Sequence, residues 1–266
     1  MTTNRPVLNY YNIADDVTAF STTRHGGCSK GNYGEFNVNE YCGDSTEAVT
    51  SNRKALYAAL GIEADRLIMP HQTHSIEVRH IGRDFFALPD EIKKMLLDGV
   101  DGVMTDVPGV CVGVSTADCI PVLLYDEEHQ AVCAVHAGWR GTASRIVQKA
   151  LADMRAAFLT TPSKVKAVIG PGISLKNFEV GDEVYNQFSA GGFDMDRIAR
   201  RYDKWHIDLP LCNRLQMEEA GVSPDTITDC AVCTYDNVAD YFSARRLGTE
   251  SGRIYNGILL NRGRQD

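Results

Sequence analysis

Hydrophobic and polar positions along the 266-residue chain follow two different periods, and together they predict strands and helices in mixed order. The centre of the chain is rich in short, valine-containing apolar segments, which are typical of strands buried on both faces. These central strands are predicted at 102–105, 110–115, 120–125 and 131–135. Outside the centre, strands are predicted at 17–24, 69–74, 76–81, 165–169, 228–233 and 255–260.

Three helices are predicted where apolar residues recur every three or four positions. The clearest covers 143–158, and the others cover 45–60 and 209–220. Gly61 stands at the C-terminal cap of one helix, and Asp208 stands at the N-terminal cap of another. Because strands and helices do not alternate strictly, the pattern favours an α+β fold over a doubly wound sheet.

Composition limits the class of protein. No repeat, low-complexity tract or linker divides the chain, so we predict one domain over residues 1–266. The net charge of -8 argues against a protein that binds the nucleic-acid backbone, which needs clustered Lys and Arg. No apolar stretch is long enough to cross a bilayer, and the N-terminal residues lack the apolar core of a secretory signal. We therefore expect a cytoplasmic monomer or weak homodimer with no nucleic-acid or membrane partner.

Eight cysteines occur without a signal for export, so disulfides are not expected. Cys111 and Cys133 lie in apolar runs, where cysteine usually serves as a small buried hydrophobe. Cys230 and Cys233 have the spacing of half a zinc knuckle, but no second such pair accompanies them, and buried packing is the favoured interpretation. Cys119 differs because polar residues flank it.

The candidate chemistry centres on Cys119 and on His136, which follows it by seventeen residues. The two could form a nucleophile and its base. With one imidazole from His71 or His74, they could instead hold zinc through three protein ligands and leave a fourth position open. In an extended segment those two histidines would point apart, so we expect only one of them to be a ligand. The spacing alone leaves both interpretations open.

Four arginines are candidates for binding an anionic substrate. They lie beside glycines or near the predicted start of a helix, where backbone N–H groups favour anions. These candidates are Arg24, Arg140, Arg245 and Arg246. The glycine-rich motifs of standard dinucleotide and P-loop sites are absent from the sequence.

The residues around these candidates resemble the YfiH/laccase-domain family, in blocks that run in order over nearly the whole chain. The blocks are Ala19-Phe-Ser-Thr-Thr-Arg24-His-Gly-Gly-Cys-Ser-Lys-Gly, Gln72-Thr-His74, Ala117-Asp-Cys119-Ile-Pro-Val-Leu, His136-Ala-Gly-Trp-Arg-Gly, Gly170-Pro-Gly-Ile, Glu179-Val-Gly, Cys233-Thr-Tyr-Asp-Asn and Tyr241-Phe-Ser-Ala-Arg-Arg. One departure is Lys176-Asn177-Phe178, where the family often has adjacent cysteines.

The resemblance implies a single-domain α+β fold layered as α/β/β/α, with mixed sheets. It also implies zinc held by His74, Cys119 and His136. The implied activity is phosphorolysis of purine nucleosides (inosine, guanosine, adenosine and 5′-methylthioadenosine), together with adenosine deamination on the same site. Zinc lowers the pKa of its bound water to about 7, which suits deamination. Asp118 is then the obvious proton carrier beside Cys119 and His136, and the four arginines are the candidates for binding phosphate.

Three other hypotheses come from the same residues. A metal-free cysteine hydrolase or amidase would use Cys119 as nucleophile and His136 as base, on a peptidoglycan precursor; some bacterial family members are called peptidoglycan editing factors. A multicopper oxidase is disfavoured, because the chain has seven histidines and no His-x-His pair. Copper could still bind the Cys/His site opportunistically, since its intrinsic affinity exceeds that of zinc. A noncatalytic metal-binding protein is the last alternative.

Overall fold

The computed structural model describes residues 4–261, which contain fourteen strands and eight α-helices. The strands are β1 (Leu8–Tyr11), β2 (Val17–Thr22), β3 (Leu67–Ile68), β4 (Val78–His80), β5 (Gly102–Thr105), β6 (Cys111–Thr116), β7 (Ile120–Asp126), β8 (Ala131–Ala137), β9 (Val165–Ile169), β10 (Glu179–Val180), β11 (Ala199–Arg201), β12 (Trp205–Ile207), β13 (Ile227–Asp229) and β14 (Ile254–Leu260). The helices are α1 (Thr46–Leu60), α2 (Asp90–Leu97), α3 (Trp139–Ala143), α4 (Ile146–Phe158), α5 (Asp182–Ala190), α6 (Met195–Ile198), α7 (Leu209–Glu219) and α8 (Ala244–Leu247). No helix within this range is long and apolar enough to cross a membrane.

The strands form three sheets. The largest has six strands in the order β13-β9-β7-β8-β5-β4, the second has five in the order β1-β2-β14-β6-β3, and the smallest has three in the order β10-β12-β11. Both larger sheets are mixed, because β3 and β6, β4 and β5, and β9 and β13 pair in parallel while the other pairs are antiparallel.

The layers follow from the alternation of side chains along the strands. On β7, Leu123 and Tyr125 face the core shared with the five-stranded sheet, where they pack with Ile258. The alternate residues of β7 face the opposite core, which α4 and α7 cover. On the outer face of the five-stranded sheet, Phe20 packs with Leu56 of α1. The order of layers is therefore helix, sheet, sheet, helix, and the predicted single-domain α+β fold is confirmed.

The predicted helix over 143–158 forms as α4, which begins three residues later, at Ile146. The chain breaks between α4 and the short helix α3 before it, where Arg145 takes a left-handed backbone conformation with φ of 61°. Gln216 of α7 supplies partners at the break: its side chain accepts a bond from the Val147 N–H (3.2 Å) and donates one to the Thr142 carbonyl (3.0 Å). The interruption depends on a side chain about seventy residues away, so local periodicity did not predict it.

The predicted strands over 69–74 and 76–81 are mostly wrong. Only β4 forms there, and most of 69–77 is a loop in which His74 has φ of 61°. The side chain of Asp101 accepts the N–H groups of three successive loop residues, which removes them from any strand ladder. At the other end of the chain, β13 stops at Asp229 rather than continuing to Cys233.

Candidate metal centre

Three side chains from distant parts of the chain meet at one end of the two large sheets. His74 comes from the loop between β3 and β4, Cys119 from the turn between β6 and β7, and His136 from β8. One ligand atom from each lies within 4.8 Å of the other two. The Cys119 Sγ is 3.9 Å from the His74 Nε2, and the two imidazole rings meet edge to face at 4.9 Å.

Strand pairing explains how Cys119 and His136 come together. β7 and β8 are antiparallel neighbours, with Pro121 opposite His136 in the register. The turn that precedes β7 therefore lies beside the end of β8. Asp118 makes this turn tight by adopting a positive φ of 89°, a conformation that Asp tolerates better than most residues.

The three side chains are buried to different depths. His136 is only 4% exposed, Cys119 is half-buried and His74 is exposed. All three line a cavity of about 310 Å³, together with Gln72, Ser115 and other residues. The group therefore has a closed side in the protein and an open side towards the cavity, where a small molecule can approach.

Asp101 fixes two of the three side chains at once. Its carboxylate is fully buried and lies 2.6 Å from Nδ1 of His136, so Nε2 of that ring is left to face the site. The same carboxylate accepts the backbone N–H groups of Thr73, His74 and Ser75 at 2.7–3.1 Å. Carboxylates that orient metal-binding imidazoles in this way are typical of zinc sites. Sequence reasoning missed Asp101, because an isolated Asp-Gly pair ahead of a strand resembles an ordinary turn.

Gln72 anchors the loop that carries His74. Its side-chain amide accepts the Ser115 N–H at 2.7 Å and donates to the Ser115 carbonyl at 2.8 Å, as a neighbouring strand would. The loop is thereby attached to β6, whose end leads directly into the Cys119 turn. The Gln72 contacts therefore fix two candidate ligands from distant segments, His74 and Cys119, relative to each other.

Cys119 and His136 shift each other's protonation. Burial raises the pKa of the Cys119 thiol, but the charge of His136 and hydrogen bonds from both histidines outweigh burial and lower that pKa to about 6. Burial lowers the pKa of His136, but the Cys119 thiolate and the bond to Asp101 outweigh it and raise that pKa to about 9. In the metal-free chain near neutral pH, the proton therefore resides on the imidazole and the sulfur is a thiolate.

The donor set fits zinc. Tetrahedral zinc with bonds of about 2.0–2.3 Å needs ligand atoms about 3.3–3.8 Å apart. The Cys119 Sγ and the His74 Nε2 are 3.9 Å apart, and all three ligand atoms lie within 4.8 Å of one another. Gly138 leaves the necessary room, because a Cβ at this position would lie 2.9 Å from the His74 Cδ2 and 3.2 Å from the Cys119 Sγ. A thiolate with two imidazoles suits a borderline-soft ion, and three protein ligands leave one position for water or substrate.

Asp118, the proposed proton carrier, directs its carboxylate to other groups. Its oxygens accept the Thr234 hydroxyl at 2.7 Å and the Arg245 backbone N–H at 2.6 Å, and the residue is only 8% exposed. In this arrangement Asp118 joins the Cys119 turn to the start of α8. Its role in proton transfer stays a prediction.

The four predicted anion-binding arginines lie outside the cavity wall. Arg24 donates to the carbonyls of Gly34 and Val238, and its guanidinium lies over the ring of Phe242. Arg140 is exposed and lies over Trp139. The remaining two, Arg245 and Arg246, donate to the carbonyls of Glu179 and Tyr235. The structure thus does not bring the four together, and their phosphate-binding role stays a prediction.

His71 also lines the cavity but lies outside the three-residue group. Its Nδ1 is 2.6 Å from the exposed carboxylate of Asp98, and its ring packs on that of Tyr41 with centroids 4.3 Å apart. The two rings are tilted by 32° to each other and form an aromatic surface on the wall of the cavity. Of the two histidines that the sequence offered, the structure brings His74 to Cys119 and His136.

The sequence and the fold of this chain are similar to those of known proteins. A family model described as multi-copper polyphenol oxidoreductase laccase matches residues 18–261. The chain belongs to this family. Solved structures of similar fold include the YfiH protein of Bacillus licheniformis, which is 26% identical, with a TM-score of 0.87 over 97% of each chain. YlmD of Geobacillus stearothermophilus is 28% identical, with a TM-score of 0.86 over 95% of this chain and 94% of that one.

Two family members with named activities are similar over almost their full length. A purine nucleoside phosphorylase of Bacteroides thetaiotaomicron is 42% identical to this laccase-family chain, covering 98% of this chain and 99% of the relative. Adenosine deaminase RL5, from an unknown prokaryotic organism, is 39% identical over 94% of this chain and 97% of the relative.

Proposed function

We propose that this chain is a zinc-dependent purine nucleoside phosphorylase that also deaminates adenosine. Its nucleoside substrates would be inosine, guanosine, adenosine and 5′-methylthioadenosine, with phosphate as the second substrate. The observation that carries the proposal is the convergence of His74, Cys119 and His136 on the wall of an open cavity. The names of the two most informative relatives, a phosphorylase and a deaminase, support the reactions.

The cavity suits a nucleoside in size and chemistry. Its volume of about 310 Å³ falls at the lower end of the range for small-molecule sites, which is about 300–1,000 Å³. Tyr41 and His71 offer aromatic surface on which a purine ring can stack. The side chains of Asn39 and Thr249 on the same wall offer polar groups for the sugar or the base.

The chain's own residues prepare the site for zinc. Asp101 holds the His136 ring with Nε2 towards the cavity, and the lowered pKa of Cys119 keeps its sulfur ionised near neutral pH. When bound, zinc would act as a Lewis acid and make a water acidic enough to attack at neutral pH. Copper could occupy the same ligands, because copper(II) generally binds nitrogen and sulfur donors more tightly.

The proposal is tested by the products. Purified zinc-loaded protein mixed with inosine and phosphate is expected to release hypoxanthine and ribose 1-phosphate, and release should depend on phosphate. Adenosine without phosphate should yield inosine and ammonia. Cys119→Ala should lose the metal and both activities. If zinc-loaded protein yields neither set of products, the proposal is wrong.

A second candidate is a metal-free cysteine hydrolase or amidase acting on a peptidoglycan precursor. One observation favours it: Asp101, His136 and Cys119 follow one another as acid, base and thiol, which is the order of a catalytic triad. The nearby imidazole of His74 instead favours a metal site. Hydrolysis of a peptidoglycan precursor that survives a chelator and is lost with iodoacetamide would support the hydrolase. Hydrolysis that a chelator removes and zinc restores would contradict a metal-free mechanism.

A further inference from the structure

The charges on the cavity wall point to an anion subsite. Among the described residues that line the cavity there is no Asp or Glu, and Arg253 is the one Lys or Arg. The wall also carries Cys42, whose burial raises the pKa of its thiol, so this second sulfur stays neutral. Arg253 is therefore the one permanently charged side chain among these lining residues, and its charge is positive.

Arg253 is held in place by its own loop. Its Nη1 donates to the carbonyls of Ser251 (2.6 Å) and Gly252 (2.9 Å), and its Nη2 donates to the carbonyl of Thr249 (2.9 Å). Its backbone N–H is bound to the side chain of Asn37 at 3.1 Å. A guanidinium fixed in this way loses little conformational entropy when it binds a ligand.

These contacts leave donors for a ligand. A guanidinium carries five N–H groups in a planar fork. The three carbonyl contacts of Arg253 use its two Nη atoms, and its Nε has no hydrogen-bond partner among residues 4–261. The Nε–H and the second hydrogen of Nη2 remain for a tetrahedral oxyanion, which guanidinium groups bind through two parallel hydrogen bonds.

We propose that Arg253 is the residue that binds phosphate for phosphorolysis, in place of the four arginines that the sequence suggested. This inference rests on the proposed function. In the reaction, an oxygen of hydrogen phosphate forms a bond to C1′ of the ribose while the bond between C1′ and N9 breaks. The electron pair goes to N9, and the proton of hydrogen phosphate ends on the base. The products are ribose 1-phosphate and the free purine.

The test separates the two substrates. Phosphorolysis of inosine is measured with phosphate varied at saturating inosine, and then with inosine varied at saturating phosphate. For Arg253→Gln we expect the KM for phosphate to rise by about tenfold or more, the loss expected for a charge-assisted pair. The KM for inosine should change by less than about threefold. Arg253→Lys, which keeps the charge but loses the fork, should give an intermediate KM for phosphate.

A matched control is Arg200→Gln. Arg200 also donates to carbonyls of its own segment, those of Asp196 and Ala199 at 2.8 and 2.7 Å, but it lies outside the cavity wall. It should leave both KM values unchanged. The inference is overturned if Arg253→Gln leaves the KM for phosphate unchanged or raises both KM values alike, or if Arg246→Gln produces the selective rise instead.

A binding measurement distinguishes failure of this inference from failure of the proposed function. If the wild-type protein shows no phosphorolysis, the proposed function fails, and the line width of the ³¹P resonance of inorganic phosphate then tests the anion subsite alone. Broadening by wild-type protein that Arg253→Gln removes supports the subsite. Equal broadening by both proteins, or none by either, overturns it. Melting temperatures of the variants show that each is folded.

Discussion

At the scale of the residue, the site depends on one buried carboxylate that orients candidate ligands and on one glycine that leaves space beside them. Asp101 orients His136 and bends the chain at His74, whereas Gly138 contributes only the absence of a side chain. The resemblance to the family named the three candidate ligands, but neither supporting residue was predicted from the sequence. A glycine's role depends on what surrounds it in space, and that is visible only in the fold.

Gly138→Ala tests the space for the metal. The added methyl group would lie 2.9 Å from the His74 ring, so we expect zinc affinity to fall by about tenfold or more, equivalent to about 1.4 kcal/mol of strain. Competition with a chromogenic chelator measures the affinity. Gly141→Ala is the control, because its Cβ would meet Ile146 and the Ser75 carbonyl at 3.3–3.4 Å but no ligand atom. Equal losses in the two variants would refute the explanation.

Asp101→Asn tests the orientation of the imidazoles. The amide keeps the shape but loses the charge, and we expect zinc affinity to fall by about 10- to 100-fold. The control is Asp98→Asn, because Asp98 makes a contact of the same length, 2.6 Å, to a histidine outside the ligand group. It should leave zinc affinity within about twofold of wild type. Unchanged affinity in Asp101→Asn would show that the carboxylate is not needed to orient the ligands.

The pH dependence of zinc binding follows from the shifted pKa values. Between the Cys119 pKa of about 6 and the His136 pKa of about 9, the thiol is ionised but the imidazole must lose a proton before it can bind metal. The logarithm of zinc affinity should therefore rise by about one per pH unit in this window, and more steeply below pH 6, where the thiol is also protonated. Calorimetry in buffers of different ionisation enthalpy would report the released proton. A flat affinity between pH 6.5 and 8.5 would contradict the assignment.

At the scale of the element, the candidate ligands lie on turns and loops at the ends of strands or at a strand end itself. Hydrophobic periodicity predicts the strands well, but it predicts the turns and loops that follow them poorly. The bounds of β7 and β8 were predicted closely, and the antiparallel pairing that the structure shows brings Cys119 beside His136. The loop that carries His74 was predicted as a strand, because its apolar residues resemble one and its true partner, the carboxylate of Asp101, lies 27 residues away. The same limit explains the missed break at Arg145, where Gln216 supplies the partners.

Asp118→Ala tests whether the Cys119 turn and α8 are joined. Loss of the carboxylate leaves the Thr234 hydroxyl and the Arg245 N–H without their acceptor, which should lower the free energy of unfolding by about 2 kcal/mol or more. Chemical denaturation measures this change, and hydrogen exchange should show faster opening of residues 244–248. Asp229→Ala removes one exposed acceptor, the partner of the Ala231 N–H, and should cost less than about 1 kcal/mol. If both variants lose a similar free energy of unfolding, Asp118 does not join the Cys119 turn to α8.

At the scale of the whole molecule, two mixed sheets packed face to face and covered by helices bring segments from residues 39 to 253 to one cavity. The α+β class was predictable, because buried strands dominate the centre of the chain and helices flank them without strict alternation. The single domain was predictable, because the motif blocks run over nearly the whole chain. The cavity wall was not predictable: the four arginines that the sequence offered are bound to carbonyls or exposed outside it, and Arg253 lies outside the motif blocks that carry the family resemblance.

The central claim is that a zinc ion at His74, Cys119 and His136 is required for phosphorolysis of purine nucleosides. The most direct test follows hypoxanthine release from inosine and phosphate while bound metal is measured in the same sample. We predict one zinc per chain in active protein, loss of release when a chelator removes it, and recovery in proportion to zinc added back. Full release from metal-free protein, or no release from protein carrying one zinc per chain, would contradict the account.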